Sequence, residues 1–254
     1  MQIKAYGQSD VGRVRSSNED AWGVFPDLQF FVVADGMGGH AAGEIASHMA
    51  VDTMRDFIQS SIQPAEVTWP ADVDQNLPLP IRRLVTAGKL ANEKIYQASR
   101  ADSKLGGMGT TMVSVLVDQE TAHVAHVGDS RAYLIRNGKI QQMTQDHSLI
   151  NDYISQGLLK IEEAGQHPLK HVITRALGSN LKVDVAVNTV PLGYGDVFVL
   201  CSDGLSNLLT EEEIRTNCLD LLPDTPAACR RLIDLANKKG GEDNITVVLI
   251  AASR

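Results

Sequence analysis

Phe30-Phe-Val-Val-Ala-Asp35-Gly-Met-Gly-Gly-His40-Ala-Ala-Gly43 is the stretch on which the fold turns. Five apolar residues run into an aspartate and a glycine-rich turn, and helical periodicity follows over 43–59. Gly36, Gly38 and Ala41 fit the spacing of a dinucleotide fingerprint, with Asp56 about twenty residues further on. Such a site needs the helix to lead back into a parallel strand. Here it leads into residues 62–79, which carry Pro64, Pro70, Pro78, Asp72 and Asn76 and show no period. Asp35 would also set negative charge beside a pyrophosphate. The doubly wound reading is therefore set aside, and Asp35 is freed for another role.

Working outward, runs rich in Val, Ile and Phe predict strands at 3–7, 21–25, 30–34, 111–117, 122–127, 132–135, 183–190, 196–201 and 245–251. Asn137-Gly138 before 140–143 predicts a type I′ hairpin, because both turn residues must take positive φ. Helices are expected at 43–59, 80–99 and 226–239, with weaker signals at 149–156 and 211–218. Helices come in blocks instead of after every strand, which favours an antiparallel α+β layering. Residues 62–79 read as a surface loop, with Trp69 most simply pinning it to the body.

The 254 residues are read as one domain, 1–254, and 43% hydrophobic with 21% charged residues is ordinary globular usage that argues against disorder. A net charge of −8 disfavours nucleic acid, whose binding needs clustered Lys and Arg. Cys201, Cys218 and Cys229 are too few and too scattered for a disulfide framework, and a reducing cytoplasm fits them. The polar start MQIKAYGQSD and the lack of any uncharged apolar run of about 18 residues predict neither export nor membrane insertion.

Five aspartates stand at strand boundaries: Asp20, Asp35, Asp129, Asp203 and Asp243. Singly, each would most often be a turn residue or a helix cap. Several are embedded in glycine, however, which lets backbone approach a site closely. Carboxylates that converge repel unless cations neutralise them, and oxygen donors without a Cys or His set select Mg2+ or Mn2+. Arg15, shortly before Asn18-Glu19-Asp20, could bind phosphate through its planar fork, with Arg13 as the competing candidate.

Arg15-Ser-Ser-Asn-Glu-Asp20, Val33-Ala-Asp35-Gly-Met-Gly-Gly-His40, Gly109-Thr-Thr111, Val127-Gly-Asp-Ser-Arg131, Ile173-Thr-Arg-Ala-Leu-Gly178, Cys201-Ser-Asp-Gly-Leu205 and Glu242-Asp-Asn-Ile-Thr246 occur in this order. Together they resemble the metal-dependent protein phosphatase family, type 2C, in its compact bacterial form, over 7–250. The resemblance implies a central sandwich of two antiparallel β-sheets flanked by antiparallel helix pairs (αββα), with a metal cleft at one end.

Carried over residue by residue, the resemblance makes Asp35 the carboxylate bridging two Mn2+ or Mg2+ ions, with the Gly36 carbonyl as a further ligand. Asp203 and Asp243 would complete the first ion's shell, Asp20 would hold the second through water, and Asp129 would hold a weaker third ion. Asn207 stands where some relatives have a further aspartate. Arg15 would bind the phosphate, and His40 is the candidate proton donor, with water on a metal as its rival and a helix cap as the bland role. Residues 146–178 resemble the family's flap, where His147, Ser148 and Arg175 are candidates; a helix start at Asp146 or Ser148 is the plainer reading.

The function implied is hydrolysis of phosphoserine and phosphothreonine in proteins by in-line attack of a metal-bridging water or hydroxide. A silent phosphoprotein-binding scaffold and a small-molecule phosphomonoesterase are the alternatives. The partners implied are phosphoproteins and a cognate Ser/Thr kinase; a monomer is expected.

Overall fold

A computed structural model of the chain describes residues 1–38, 41–62, 67, 69–160, 163, 167–169 and 172–253. Among them are two antiparallel sheets. The first has the order β1 (Gln2–Asp10), β11 (Ile245–Ser253), β10 (Val197–Cys201), β7 (Arg131–Arg136) and β8 (Lys139–Gln142). The second runs β2 (Asp20–Phe25), β3 (Phe30–Met37), β5 (Met112–Asp118), β6 (Thr121–Val127) and β9 (Ala186–Pro191), with the two-residue β4 (Gly109–Thr110) paired to the end of β3.

The unbroken apolar runs follow from this layering. Phe31 and Val33 enter the core between the sheets with Val113, Val115, Phe198, Leu200, Val248 and Ile250. Phe30, Val32 and Ala34 face the opposite way, into a core shared with α1 (Ala41–Ser60) and α2 (Leu79–Ala101). On the other sheet Val197, Val199 and Cys201 pack with Leu232 and Ile233 of α6 (Thr225–Lys238) and Ile214 of α5 (Glu211–Leu219). A strand covered on both faces has no polar side to alternate with.

Local signals agree with the elements. Asn137 and Gly138 take φ of 52° and 71°, and Arg136 pairs with Lys139 across the hairpin. The α5 helix opens on a capping box between Thr210 and Glu213, and α6 on Asp224, whose carboxylate accepts from Ala227 N. Ser148 caps α3 (Leu149–Ser155), which settles the plainer of its two readings. Trp69 packs edge-on to Phe57 and under the Arg82 guanidinium, so it pins residues of the 62–79 segment to both long helices.

Three expectations shift. β1 and β11 are longer than their apolar cores suggested, because each supplies the other's backbone partners from Gln2–Ser253 to Asp10–Ile245. The strand expected at 183–190 begins only at Ala186, opposite His126 of β6. β4 was not expected; a two-residue strand carries no periodicity. None of the described helices is long and apolar enough to cross a membrane.

Candidate metal centre

The sheet pairings bring five chain segments to one end of the sandwich. There β1 ends and β11 begins, β10 ends at Cys201, β2 begins at Asp20 opposite Asp35, and β6 ends at Val127 opposite Met112. The carboxylates that follow or precede those strand ends therefore converge. Asp35, Asp129, Asp203 and Asp243 line a cleft of about 820 Å³ together with Gly36 and Arg15. Asp203 is the first residue of a single helical turn, α4 (Asp203–Ser206), and accepts from Asn207 Nδ2 at 3.0 Å.

The scaffold holds these groups by backbone bonds. Asp35 O accepts from Thr111 N at 2.8 Å and from Thr110 Oγ1 at 2.9 Å, while Asp35 N donates to Thr111 Oγ1 at 3.0 Å. Asn244 staples the other side: its Nδ2 donates to Val11 O and Ser17 O, and its Oδ1 accepts from Glu19 N. Gly36 cannot be replaced, because a Cβ there would lie 2.2 Å from Gly43 O and 2.5 Å from Glu19 O.

Charge in the cleft is unbalanced. Burial first, then Asp20, Asp203, Asp129 and Asp243, pushes the Asp35 carboxyl well above the usual carboxylate range. Burial, reinforced by Asp203 and Asp146, pushes Asp129 up to about 7. Arg15 lines the same cleft and its Nη2 donates to Asp243 Oδ2 at 2.8 Å. Hard oxygen donors under mutual repulsion are the chemistry that suits Mg2+ or Mn2+. Among the described residues no three acidic, His or Cys side chains enclose a point by themselves. A bound ion would complete its shell with water and with carbonyl oxygens such as that of Gly36.

The structure sets Asp20 behind the cleft and Glu19 on its lining. Asp20 points between the sheets, where its Oδ2 accepts from Ser202 Oγ at 2.8 Å and Thr246 Oγ1 at 2.6 Å, and its buried Oδ1 has no partner among the described residues. Burial, opposed by those two bonds, raises its carboxyl to about 7. Glu19, not Asp20, lines the cleft, as does Glu242. Asp20 lies opposite Asp35 on the β2–β3 pair, so both side chains leave the same face of the sheet, with Asp20 buried behind the cleft. Asn244, Ser202 and Thr246 were also missed; each stands beside or within a motif, but its role lies in contacts across the sandwich. His40 lies outside the described residues.

A two-sheet sandwich that gathers carboxylates and one arginine at its open end defines a phosphohydrolase of the metal-assisted class. The chain belongs to the protein phosphatase 2C family, whose model matches residues 11–245. It is 37% identical over 249 residues to the serine/threonine phosphatase stp of Listeria monocytogenes, covering 96% of this chain and 93% of that one. The crystal structure of the Mycobacterium tuberculosis serine/threonine phosphatase PstP/Ppp superposes with a TM-score of 0.86 at 32% identity, over 99% of both chains. The catalytic domain of PstP in complex with two manganese ions gives 0.82 at 31% identity, again over 99% of both.

Proposed function

We propose that this protein serine/threonine phosphatase hydrolyses phosphoserine and phosphothreonine esters of proteins in the carboxylate cleft, with Mn2+ or Mg2+ as cofactor. The observation that carries the reading is the convergence of Asp35, Asp203 and Asp243 on one cleft with Arg15 at its edge. Asp35, the Gly36 carbonyl, Asp203 and Asp243 would hold two ions, and Asp129 a weaker third. Asp20 would orient water behind Asp35 through its unpartnered Oδ1, and Glu19 would face the ions from the cleft side.

When bound, such ions supply Lewis acidity and an activated water for in-line attack on phosphorus. The residues do the rest. Arg15, held 2.8 Å from Asp243, offers its remaining N–H groups to the phosphate oxygens and counters charge as it develops. Thr111 fixes Asp35 from beneath, so the carboxylate is in place before substrate arrives. The departing alkoxide takes a proton, for which His40 remains the candidate by its place in the sequence.

Phosphorylated proteins are the substrates, and we infer a cognate Ser/Thr kinase that supplies them. We read the chain as a single 1–254 domain acting as a monomer, and place it in the cytoplasm, where its three buried free cysteines stay reduced. A silent scaffold would not need to gather these carboxylates at the cost of their repulsion.

The test is phosphate release from a phosphothreonine peptide and from p-nitrophenyl phosphate, with Mn2+, Mg2+ or EDTA, for wild type and Asp35→Asn. Metal-dependent turnover that falls by about 100-fold or more in the variant is expected. Turnover in EDTA, or an unimpaired variant, would overturn the mechanism.

A further inference from the structure

Glu242 stands in the cleft as a carboxylate that nothing in the protein engages. It lines the cleft beside Asp243, the residue is exposed, and among the described residues it has no hydrogen-bond or ion-pair partner. Its neighbours differ: Asp243 holds Arg15, and Asp203 accepts from Asn207 Nδ2. The nearby cations are engaged elsewhere or stay apart. Lys239 Nζ donates to Glu213 Oε2 at 2.7 Å and to Leu208 O at 3.1 Å, and no ion pair joins Arg13 to Glu242.

The backbone that carries Glu242 is nevertheless pinned on both sides. Arg13 N donates to Gly241 O at 2.7 Å, and Gly241 N donates to Ala236 O in the last turn of α6 at 3.2 Å. Asn244 N donates to Asp243 Oδ1 at 2.8 Å, and the Asn244 side chain reaches across to Val11 O and Ser17 O. Gly12, at φ of 84°, lies against the same segment, where a Cβ would sit 2.2 Å from Asp243 O. The free charge therefore has a fixed base from which to act on a molecule entering the cleft.

Charge and spacing say what that molecule should carry. With two divalent ions bound, the ions and Arg15 match the charge of Glu19, Asp35, Asp129, Asp203 and Asp243, and Glu242 is left over. A phosphate dianion adds to this surplus, so a neighbouring cation on the substrate is favoured and a neighbouring carboxylate opposed. Glu242 directly precedes the aspartate that holds Arg15, about 3.8 Å away from Cα to Cα. Residues of an extended substrate are spaced by about 3.3 Å, which sets the side chains next to the phosphorylated residue within reach of Glu242.

We propose that Glu242 is a specificity-determining residue, which selects segments that carry Lys or Arg beside the phosphoserine or phosphothreonine and disfavours acidic ones. The inference rests on the proposed function and adds to it the class of protein substrate. Because the pair that Glu242 makes is open to water, its worth is that of an exposed ion pair. It shows as about a two- to fivefold preference for Lys over Ala, and it weakens with salt.

The test uses a phosphothreonine peptide flanked by alanine, with a single Lys or a single Glu placed in turn at each of the three positions on either side. Two quantities are read in the full chain with Mn2+: kcat/KM, and the Kd of the matching non-hydrolysable phosphonate peptides by fluorescence anisotropy. Each is expressed as a Lys-to-Glu ratio within one enzyme, which cancels any loss common to all peptides. In wild type the ratio should reach about fivefold or more at one or more positions, since attraction and repulsion add. There Glu242→Gln should cut it by about threefold or more, and Glu242→Lys should reverse it, with thermal melts confirming that both variants fold. The same ratio in wild type and both variants would overturn the role of Glu242. A ratio near one in wild type with turnover intact would overturn the substrate class alone; no metal-dependent turnover of any peptide would overturn the proposed function with it.

Discussion

Asp20 and Asp35 stand directly opposite one another on the β2–β3 pair, two carboxylates in register at the open end of a sandwich. Like charges facing across a ladder destabilise it. Ser202 and Thr246 from the other sheet bond one oxygen of Asp20, and among the described residues nothing comparable relieves Asp35. The fold keeps this repulsion at the place where a cation would remove it.

One consequence is a stability profile that depends on metal. Asp20 and Asp129 hold protons in the folded, metal-free chain up to about pH 7, whereas unfolded aspartates release them near pH 4. The folded state then binds more protons across that window, so stability falls as pH rises through it, and the loss is complete above the folded values. Melting in EDTA should occur at a higher temperature at pH 5 than at pH 8. Mn2+, which binds the deprotonated carboxylates, should reverse that order. A flat profile in EDTA would refute the premise.

Arg15 and Arg13 separate by function. Arg15→Ala should lower kcat/KM on a phosphothreonine peptide about 10- to 100-fold, the worth of a charge-assisted bond to phosphate. Arg15→Lys should recover part of it, since the charge survives but the fork does not. Arg13→Ala should leave kcat/KM near wild type. Equal effects at 13 and 15 would remove Arg15 from the phosphate site.

Glu19→Gln should weaken Mn2+ binding about tenfold or more, measured by calorimetry, if Glu19 orients the ion's waters as its place in the cleft suggests. Unchanged binding would confine Glu19 to packing against Gly43 and the Gly36 turn.

Asp196 offers a control far from the cleft. The residue is 1% exposed, and its carboxylate accepts from Arg136 Nε at 2.8 Å, Arg136 Nη2 at 2.5 Å and Gly193 N at 2.6 Å. Asp196→Ala should cost about 2–4 kcal/mol in denaturant unfolding, the range lowered because Arg136 stays partly open to solvent. Turnover of the folded fraction should not change; a loss of turnover there would contradict the assignment of chemistry to the opposite end.

Much of the fold was legible because its determinants are local. The runs FFVVA and VFVLC announced strands covered on both faces, Asn137-Gly138 announced its hairpin, and the proline-laden 62–79 segment ruled out the parallel return that the glycine fingerprint invites. Of the cleft, Asp35, Asp129, Asp203 and Asp243 were legible for the same reason, each marked by a strand end or a glycine beside it, whereas spacing did not choose between Arg15 and Arg13 and the resemblance singled out Arg15.

Glu19 and Asp20 show where that legibility stops. Both are acidic, adjacent and inside one motif, and nothing in their spacing says which faces the cleft. The answer depends on how β2 pairs with β3 and on what the other sheet presents across the gap, namely Ser202 and Thr246. His147 is similar: its partners Gly128 and Thr174 are 19 and 27 residues away along the chain. The sequence by itself determined which elements form and which residues carry charge at their ends, because propensity, turn chemistry and burial pattern act over a few residues. Only the tertiary structure decided which of those charges share one cleft and which are turned inward, because that follows from strand register and from contacts between segments more than two hundred residues apart, such as Arg15 with Asp243 and Asp20 with Thr246.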